Sequence, residues 1–279
     1  MSGNDAAPDP TTDVTAGLAG LRCIRVARDG DVLVCTIDHP DSDLNAVDAT
    51  LHHELATLFR ALRRERTARA VLLTGAGRAF CAGGDLAWFP ELRSTEALDA
   101  LRLDARQMIW DLLDVELPVV CALNGHAMGL GASIALLCDL VVAAEGARIG
   151  DPHVRMGLVA GDGGAVIWPM VLGPARAKEH LLLGDPLTAA DAERLGLVNR
   201  VVPADEVRAT AMELARRLAA GPPLAVRGTK VAVNQQLRAA LLASFDLSTA
   251  LELSTFHSED HAEAVAAAVE KRPPGFRGR

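Results

Sequence analysis

The sequence contains no tyrosine, and its five cysteines include no CxxC pair. The absence of tyrosine excludes mechanisms in which a phenol protonates or polarises the substrate. An odd number of scattered cysteines favours reduced thiols in a cytoplasm over a disulfide framework. No His/Cys cluster has the spacing of a zinc site. We therefore expect a cytoplasmic protein without a bound metal.

Basic runs and long hydrophobic runs are also absent. The net charge of −8 and the lack of a basic or aromatic-basic stretch argue against a nucleic-acid partner. The first residues lack the basic and apolar regions of a signal peptide. Asp139 interrupts the most apolar helical segment, so we predict no membrane span and no membrane partner.

What is present is a globular pattern, because half of the 279 residues are hydrophobic. Strand-like and helix-like segments alternate up to Val202, and every later segment is helical. This order predicts an α/β body with a helical C-terminal section. We divide the chain into a disordered leader (1–20), an α/β core (21–204) and a C-terminal helical section (205–279).

Within this pattern we predict a hairpin around Asp29-Gly30 and an amphipathic helix over Asp48–Arg64. The C-terminal section divides into helices over 222–236, 237–256 and 259–270, the last capped by Ser258.

Two glycine-rich turns follow strand-like runs. The run Val119–Leu123 leads into GHAMGLGAS, and Ala70–Thr74 leads into GAGRAFCAGGDL. Neither turn has the spacing of a P-loop or of GxGxxG. Unpaired N–H groups at such turns can receive an anion or a developing oxyanion. The alternative is that both turns only reverse the chain.

The order of these motifs resembles that of a known family. GRAFCAGGDL, LPVVCALNGHAMGLGASIALLCDLVVA, the GLV and GDGG segments, and LTAADAERLGLVNRVVP follow one another as in the crotonase superfamily of enoyl-CoA hydratases and isomerases. The resemblance runs from about Ile24 to Arg279. It implies a ClpP-like β-β-α superhelix and a C-terminal section that assembles trimers or dimers of trimers. It also implies an acyl-CoA or enoyl-CoA substrate, with coenzyme A entering as part of the substrate and no other cofactor.

The resemblance also implies roles for individual residues. The backbone N–H groups of Gly84 and Leu130 correspond to an oxyanion hole that stabilises a thioester enolate. Ser133 and His153 stand where hydratases of the family carry their two glutamates. Histidine can transfer a proton near neutral pH, whereas Ser133 either positions water or substrate or only makes room. Asp162 lies one residue from an acidic position of some relatives, and it either reaches the pocket or caps a helix.

Coenzyme A recognition is likewise implied by the resemblance, at Leu44, Ala46, Arg78, Ala79, Phe80, Ala82 and Phe276. The position before Leu44 often carries a basic residue in the family, but here it is Asp43. The basic residues Lys271, Arg272 and Arg277 near Phe276 are alternatives for phosphate contact, the other reading being a solvated basic end.

We thus expect an enoyl-CoA hydratase/isomerase-like enzyme with His153, Asp162 and Ser133 as its catalytic side chains. Because both hydratase glutamates are replaced, a specialised isomerase, dehydratase or decarboxylase of an acyl-CoA remains an alternative. A non-catalytic acyl-CoA binder is another. A nucleophilic Ser133–His153–Asp162 triad is disfavoured, since no GxSxG surrounds Ser133.

Overall fold

The computed structural model describes residues 13–279, which form two sheets surrounded by helices. The strands of this part of the chain are β1 (Ile24–Asp29), β2 (Val32–Ile37), β3 (Ala70–Gly75), β4 (Ala79–Cys81), β5 (Val119–Leu123), β6 (His126–Met128), β7 (Leu140–Ala144), β8 (Arg148–Gly150), β9 (Leu187–Thr188) and β10 (Arg200–Val202). Its α-helices are α1 (Thr15–Leu18), α2 (Ala49–Leu62), α3 (Thr95–Asp114), α4 (Leu130–Leu137), α5 (Gly164–Leu172), α6 (Pro174–Leu183), α7 (Ala189–Leu195), α8 (Val207–Ala219), α9 (Pro223–Phe256) and α10 (Glu259–Glu270). Short 3₁₀ helices cover Phe89–Glu91 and His153–Met156.

The chain alternates between the two sheets. The larger sheet has the order β1-β2-β3-β5-β7-β10, and the smaller has the order β4-β6-β8-β9. Only β1–β2 and β8–β9 pair antiparallel, and the other pairs are parallel. The units β3-β4-α3, β5-β6-α4 and β7-β8-α5 each place one strand in each sheet before a helix. This repetition confirms the β-β-α superhelix.

The larger sheet is the centre of the core. Every residue of β2 and β5 is buried, as expected for parallel strands covered on both faces, whose sequences are continuous apolar runs. Helix α8 packs on β3, β5 and β7, and α3 packs on α2. The predicted helix over Asp48–Arg64 is confirmed as α2, with the Asp48 side chain accepting from Leu51 N–H at its N-terminus.

Several other local predictions are confirmed. The Asp29-Gly30 hairpin joins β1 to β2, and Gly30 has φ 58°, a left-handed conformation that glycine adopts without strain. Ser258 Oγ accepts from His261 N–H at 3.0 Å, so Ser258 is the N-cap of α10.

Two predicted boundaries differ from the structure. The two helices expected over 222–236 and 237–256 form one continuous helix, α9, because no proline or glycine interrupts the chain where we divided it. The expected leader lies outside the described residues up to position 12, but residues 13–20 contain α1. Val14 and Leu18 of that segment are buried, and Glu65 accepts the Val14 N–H at 3.0 Å.

Helix α9 is tied to the sheets by a buried ion pair. Lys230 Nζ lies 2.7 Å from Asp139 Oδ2 and donates to Leu117 O at 2.8 Å. The same Asp139 oxygen accepts the Val119 N–H at 2.7 Å. Asp139 therefore joins the start of β5 to α9. Among residues 13–279 no helix combines the length and hydropathy needed to cross a membrane.

Candidate active site

A cavity of about 290 Å³ lies where three neighbouring strands of the smaller sheet end. Strands β4, β6 and β8 are parallel, so their C-terminal ends meet at one edge. The segments that follow them, at residues 82–84, 129–130 and 152–153, all border this cavity. Its other walls are mainly apolar and include Trp88, Phe89, Leu92, Leu253 and Phe256.

Two residues that line this cavity, Gly84 and Leu130, have backbone N–H groups without an acceptor in the described part of the chain. Gly84 forms a parallel bridge with Val47, but the bridge uses the Gly83 carbonyl and the Asp85 N–H. Leu130 is the first residue of α4, where an N–H has no partner inside the helix. Within residues 13–279 neither N–H donates to a protein acceptor. Both remain available to a ligand oxygen.

Gly129 and Gly131 shape the second of these positions. Gly129 has φ 52°, and a Cβ there would lie 3.2 Å from His153 Cε1. A Cβ on Gly131 would clash with the Cys81 carbonyl at the end of β4. The glycines thus allow α4 to start directly against β4 and the His153 ring.

His153 is held between carboxylates at the edge of the cavity. Its side chain is 14% exposed, and Nδ1 lies 2.5 Å from Asp151 Oδ1. On the other side of the ring, Nε2 lies 3.5 Å from Asp162 Oδ2 and 3.6 Å from Glu252 Oε1. Asp151 therefore fixes the ring orientation, while Nε2 faces the two carboxyl groups that border the cavity.

Asp162 lines the cavity, which is one of its two expected placements. The N-cap of α5 is Gly163, with no side-chain cap. Ser133 was expected either to position water or substrate or to make room, and its side chain is fully buried and does not line the cavity. Ser133 Oγ instead donates to Asp162 Oδ1 at 3.3 Å. Ser133 contacts Asp162 rather than His153, so no serine–histidine nucleophile is assembled.

Glu252 completes the cluster from the distant helix α9. Ser248 and Thr249, one helical turn earlier, donate through their hydroxyls to the Gly161 carbonyl at 3.3 and 3.1 Å. A Cβ on Gly161 would lie 2.5 Å from Glu252 Oε2, so the glycine leaves the space this carboxyl group occupies. Sequence reasoning missed both Glu252 and Asp151. Only the proximity of Asp151 to His153 in sequence offered a signal.

Burial and mutual charge shift the protonation of the whole cluster. Burial alone would lower the pKa of His153, but the nearby carboxylates of Asp151 and Asp162 outweigh it and raise the pKa well above its usual value. Burial raises the pKa of Asp162, against the opposing charge of His153. Burial raises the pKa of Glu252 to about 8. At neutral pH His153 is therefore an imidazolium and Glu252 a carboxylic acid.

The raised pKa of Glu252 makes stability depend on pH. The folded protein keeps the Glu252 proton up to about pH 8, whereas the unfolded chain loses it near its usual pKa of 4.5. The free energy of unfolding should therefore fall as pH rises between these values. We expect Glu252→Gln to lose less stability over this window. The melting temperature of Glu252→Gln minus that of the unmodified protein should therefore rise by several degrees from pH 5 to pH 8, since 1 kcal/mol is roughly 2–4 °C in a domain of this size.

Thermal unfolding of both proteins from pH 5 to pH 9 measures this effect. Glu213→Gln on α8, which replaces an exposed glutamate, is the matched control and should run parallel to the unmodified protein. Parallel curves for Glu252→Gln would contradict the buried, protonated carboxyl group.

The Asp151–His153–Asp162 group also contains the atom types of a metal site. One ligand atom from each residue lies within 4.8 Å of the others. However, Asp151 faces Nδ1 and Asp162 faces Nε2, on different sides of the ring. The ring lies between the two carboxylates, so the arrangement suits proton transfer better than coordination of one ion.

The residues expected to bind coenzyme A are distributed unevenly. Ala82 lines the cavity, Ala46 is half-buried, and Leu44 and Arg78 are exposed. Ala79 and Phe80 are fully buried in β4 and do not line the cavity. Phe276 is 48% exposed and does not line the cavity.

Two basic residues expected to contact coenzyme A, Arg78 and Arg272, are in ion pairs. Arg78 lies 3.5 Å from Asp43, the acidic residue at the position where relatives often carry a basic one. Arg272 pairs with Glu263 and Glu270.

Comparisons with known proteins show which family the chain is similar to. The family described as Enoyl-CoA hydratase/isomerase matches residues 27–279. The 2,3-dehydroadipyl-CoA hydratase of Escherichia coli (strain K12) is 34% identical over 255 residues, covering 91% of this chain and 98% of the relative. The crystal structure of an enoyl-CoA hydratase/isomerase from Mycobacterium paratuberculosis has 40% identity and a TM-score of 0.84, covering 88% and 98% of the two chains.

A second similar structure has a different printed activity. It is a β-diketone hydrolase from the cyanobacterium Anabaena sp. PCC 7120 bound to (S)-3-oxocyclohexyl acetic acid. It has 31% identity and a TM-score of 0.81, covering 86% of this chain and 96% of that one. Together the family match, the relatives and the fold lead to one conclusion: the chain belongs to the enoyl-CoA hydratase/isomerase family, within the crotonase superfamily.

Proposed function

We propose that the protein catalyses proton transfer on an acyl-CoA thioester whose enolate is stabilised by the N–H groups of Gly84 and Leu130. One observation carries this proposal: two N–H groups without protein acceptors and a buried His153–Asp162–Glu252 cluster border the same cavity. Negative charge that develops on a thioester oxygen would meet the two donors. The cluster supplies and accepts the protons.

In the hydration direction, water adds across a 2-enoyl thioester. The water oxygen bonds to C3 while Asp162 takes a proton from that water. The electron pair of the C2–C3 double bond shifts toward the carbonyl, and negative charge develops on the thioester oxygen. His153 then donates its Nε2 proton to C2, and the proton held by Asp162 returns to His153. The substrate gains one water molecule and the cluster regains its starting state; dehydration is the reverse. Ser133 orients Asp162, and Asp151 orients His153.

A substrate panel tests this proposal. We expect turnover of at least one among crotonyl-CoA, hex-2-enoyl-CoA, hex-3-enoyl-CoA and their 3-hydroxyacyl counterparts, followed by mass spectrometry for gain or loss of water and by chromatography for double-bond shifts. Calorimetric binding of these thioesters without conversion would support the non-catalytic binder instead. The absence of both binding and conversion for every thioester in the panel would overturn the proposal.

A second candidate is hydrolysis of a carbon–carbon bond in a 1,3-diketone. The ion pairs already formed by Arg78 and Arg272 favour it, because they compete with coenzyme A phosphates. The similarity to a structure described as a β-diketone hydrolase also supports it. Water would attack one carbonyl, the C–C bond would break, and the enolate of the other carbonyl would occupy the same two N–H groups before protonation. Adding a cyclic 1,3-diketone to the panel separates the two reactions.

We further propose a homotrimer or dimer of trimers, supported by exposed apolar side chains on α6 and α9. These are Leu182, Leu183, Val231, Val233, Leu242, Leu247 and Leu251. A cytoplasmic location is supported by the five cysteines, all buried and unbridged. The proposed chemistry requires no cofactor beyond the coenzyme A of the substrate.

A further inference from the structure

One cavity residue has no role in the proton transfer described above. His52 lies on α2, next to Leu51 on the buried side of the helix, and its side chain borders the cavity. Only 5% of the residue is exposed. Its aromatic neighbour is Trp88, four residues after Gly84, with 5.6 Å between the ring centroids. His52 is therefore a polar group in an otherwise apolar wall.

The ring of His52 lacks the partner that buried histidines elsewhere in this fold possess. Asp41 N–H donates to His39 Nδ1 at 3.2 Å, and His261 Nδ1 lies 2.8 Å from the Met156 carbonyl. No group in residues 13–279 hydrogen-bonds the His52 ring. Because the residue lines the cavity, a ligand there could hydrogen-bond the ring.

The ring is uncharged at neutral pH. Burial lowers the pKa of His52 to about 4, and the positive charge of neighbouring His53 acts in the same direction, while Asp104 opposes them. A neutral imidazole offers one N–H donor and one acceptor. These groups suit a carbonyl or hydroxyl oxygen better than a carboxylate, which favours a cation. Arg102, which also borders the cavity, is paired with Asp99 at 2.7 Å.

We propose that His52 hydrogen-bonds a second oxygen of the substrate, a carbonyl or hydroxyl group carried on the acyl part beyond the reacting carbonyl. This inference rests on the proposed function and narrows it to oxygenated acyl groups, as opposed to plain hydrocarbon chains. One oxygen binds at Gly84 and Leu130, and the other binds at His52. A site built to satisfy two oxygens orients the substrate and discriminates against analogues that lack one of them.

A position scan of the second oxygen tests the inference. Hex-2-enoyl-CoA is compared with its 4-, 5- and 6-hydroxy derivatives, and kcat/KM is measured for the unmodified protein, His52→Leu and His52→Gln. We expect at least one hydroxy derivative to be preferred by about tenfold or more, the value of one good hydrogen bond. In His52→Leu the preference should fall to within about threefold, and His52→Gln should retain part of it because its amide donates and accepts.

Binding measurements keep this test independent of turnover. Calorimetry with hexanoyl-CoA and the saturated hydroxyhexanoyl-CoAs should give the same preference, and the ring nitrogen resonances of His52 should shift only with the hydroxy ligands. If no thioester binds, the proposed function fails. The binding of cyclohexane-1,3-dione and of cyclohexanone is then compared in the same variants, to decide whether His52 hydrogen-bonds a second ligand oxygen. His53→Leu, at the exposed neighbouring histidine, is the matched control.

Two results would overturn the inference. One is a preference for the hydroxy ligands that His52→Leu leaves unchanged. The other is equal binding of each oxygenated ligand and its deoxy counterpart by the unmodified protein. A third contrary result is a preference for a terminal carboxylate, as in adipyl-CoA, that disappears in Arg102→Gln. It would show that Arg102, rather than His52, binds the distal group of the acyl chain.

Discussion

Replacing His153 by Ala or Gln should lower kcat by about 10²–10⁴-fold, the usual contribution of a positioned acid–base group. The ring nitrogens of His153 lie within 3.6 Å of three carboxyl groups, those of Asp151, Asp162 and Glu252. Without it, no proton can pass from the cluster to the substrate carbon. Thioester binding should be retained within about threefold, because the cavity walls and the two N–H groups remain.

The measurement is steady-state kinetics on whichever thioester the panel identifies, with calorimetry for binding. Removing the imidazolium leaves Asp151 buried beside no cation, so the folded fraction of each variant must be checked by thermal unfolding. His153→Gln is included because its amide can still donate to Asp151. His53→Ala, at an exposed histidine, should leave kcat unchanged. A kcat within threefold of the unmodified value in folded His153→Gln would refute the assigned role.

Removing the Leu130 N–H should have an effect of comparable size. Leu130→Pro deletes this donor, and proline is tolerated at the first residue of a helix, where the N–H has no helical partner. The preceding residue is Gly129, which lacks the Cβ that clashes with a proline ring. Loss of one oxyanion donor typically lowers kcat by about 10²–10³-fold.

Leu130→Ala separates the donor from the side chain. Leu130 is 6% exposed, so both variants lose similar buried apolar surface, but only the proline variant loses the N–H. We expect kcat of Leu130→Ala to stay within about tenfold of the unmodified value and that of Leu130→Pro to fall well below it. Equal rates for the two variants, both folded, would show that this N–H does not meet the developing charge.

The sequence predicted the parts of this site that lie close to motifs. Strands such as Ala70–Thr74 are apolar runs followed by glycine turns, so β3 and the two turns could be placed from the pattern, whereas Gly84 and Leu130 were assigned within those turns from the resemblance. His153 and Asp162 were named from the resemblance, and the structure brings them within 3.5 Å. These assignments depend on motif position rather than on the hydrophobic pattern: Leu130 and His153 open helices, whereas Gly84 lies three residues after β4 and Asp162 lies two residues before α5.

Glu252 could not be found in this way. It occupies an ordinary position in a long helix, and its place at the site depends on contacts such as Ser248 to Gly161, 87 residues apart in sequence. Ser133 was named from the resemblance, but its motif position does not show that its hydroxyl contacts Asp162 rather than the cavity. The buried segment around Val14 and Leu18 was missed because its surroundings are small, polar residues.

The continuity of α9 has a mechanical consequence. At 1.5 Å per residue, the 22 positions from Lys230 to Glu252 span about 33 Å of unbroken helix. At one end Lys230 is paired with Asp139 next to the larger sheet, and at the other Glu252 lies 3.6 Å from His153. No break in the helix separates the two residues. Partial unfolding of α9 would therefore abolish catalysis while most of the parallel strands were still folded. On heating, activity should be lost before the circular dichroism signal of the β-sheets.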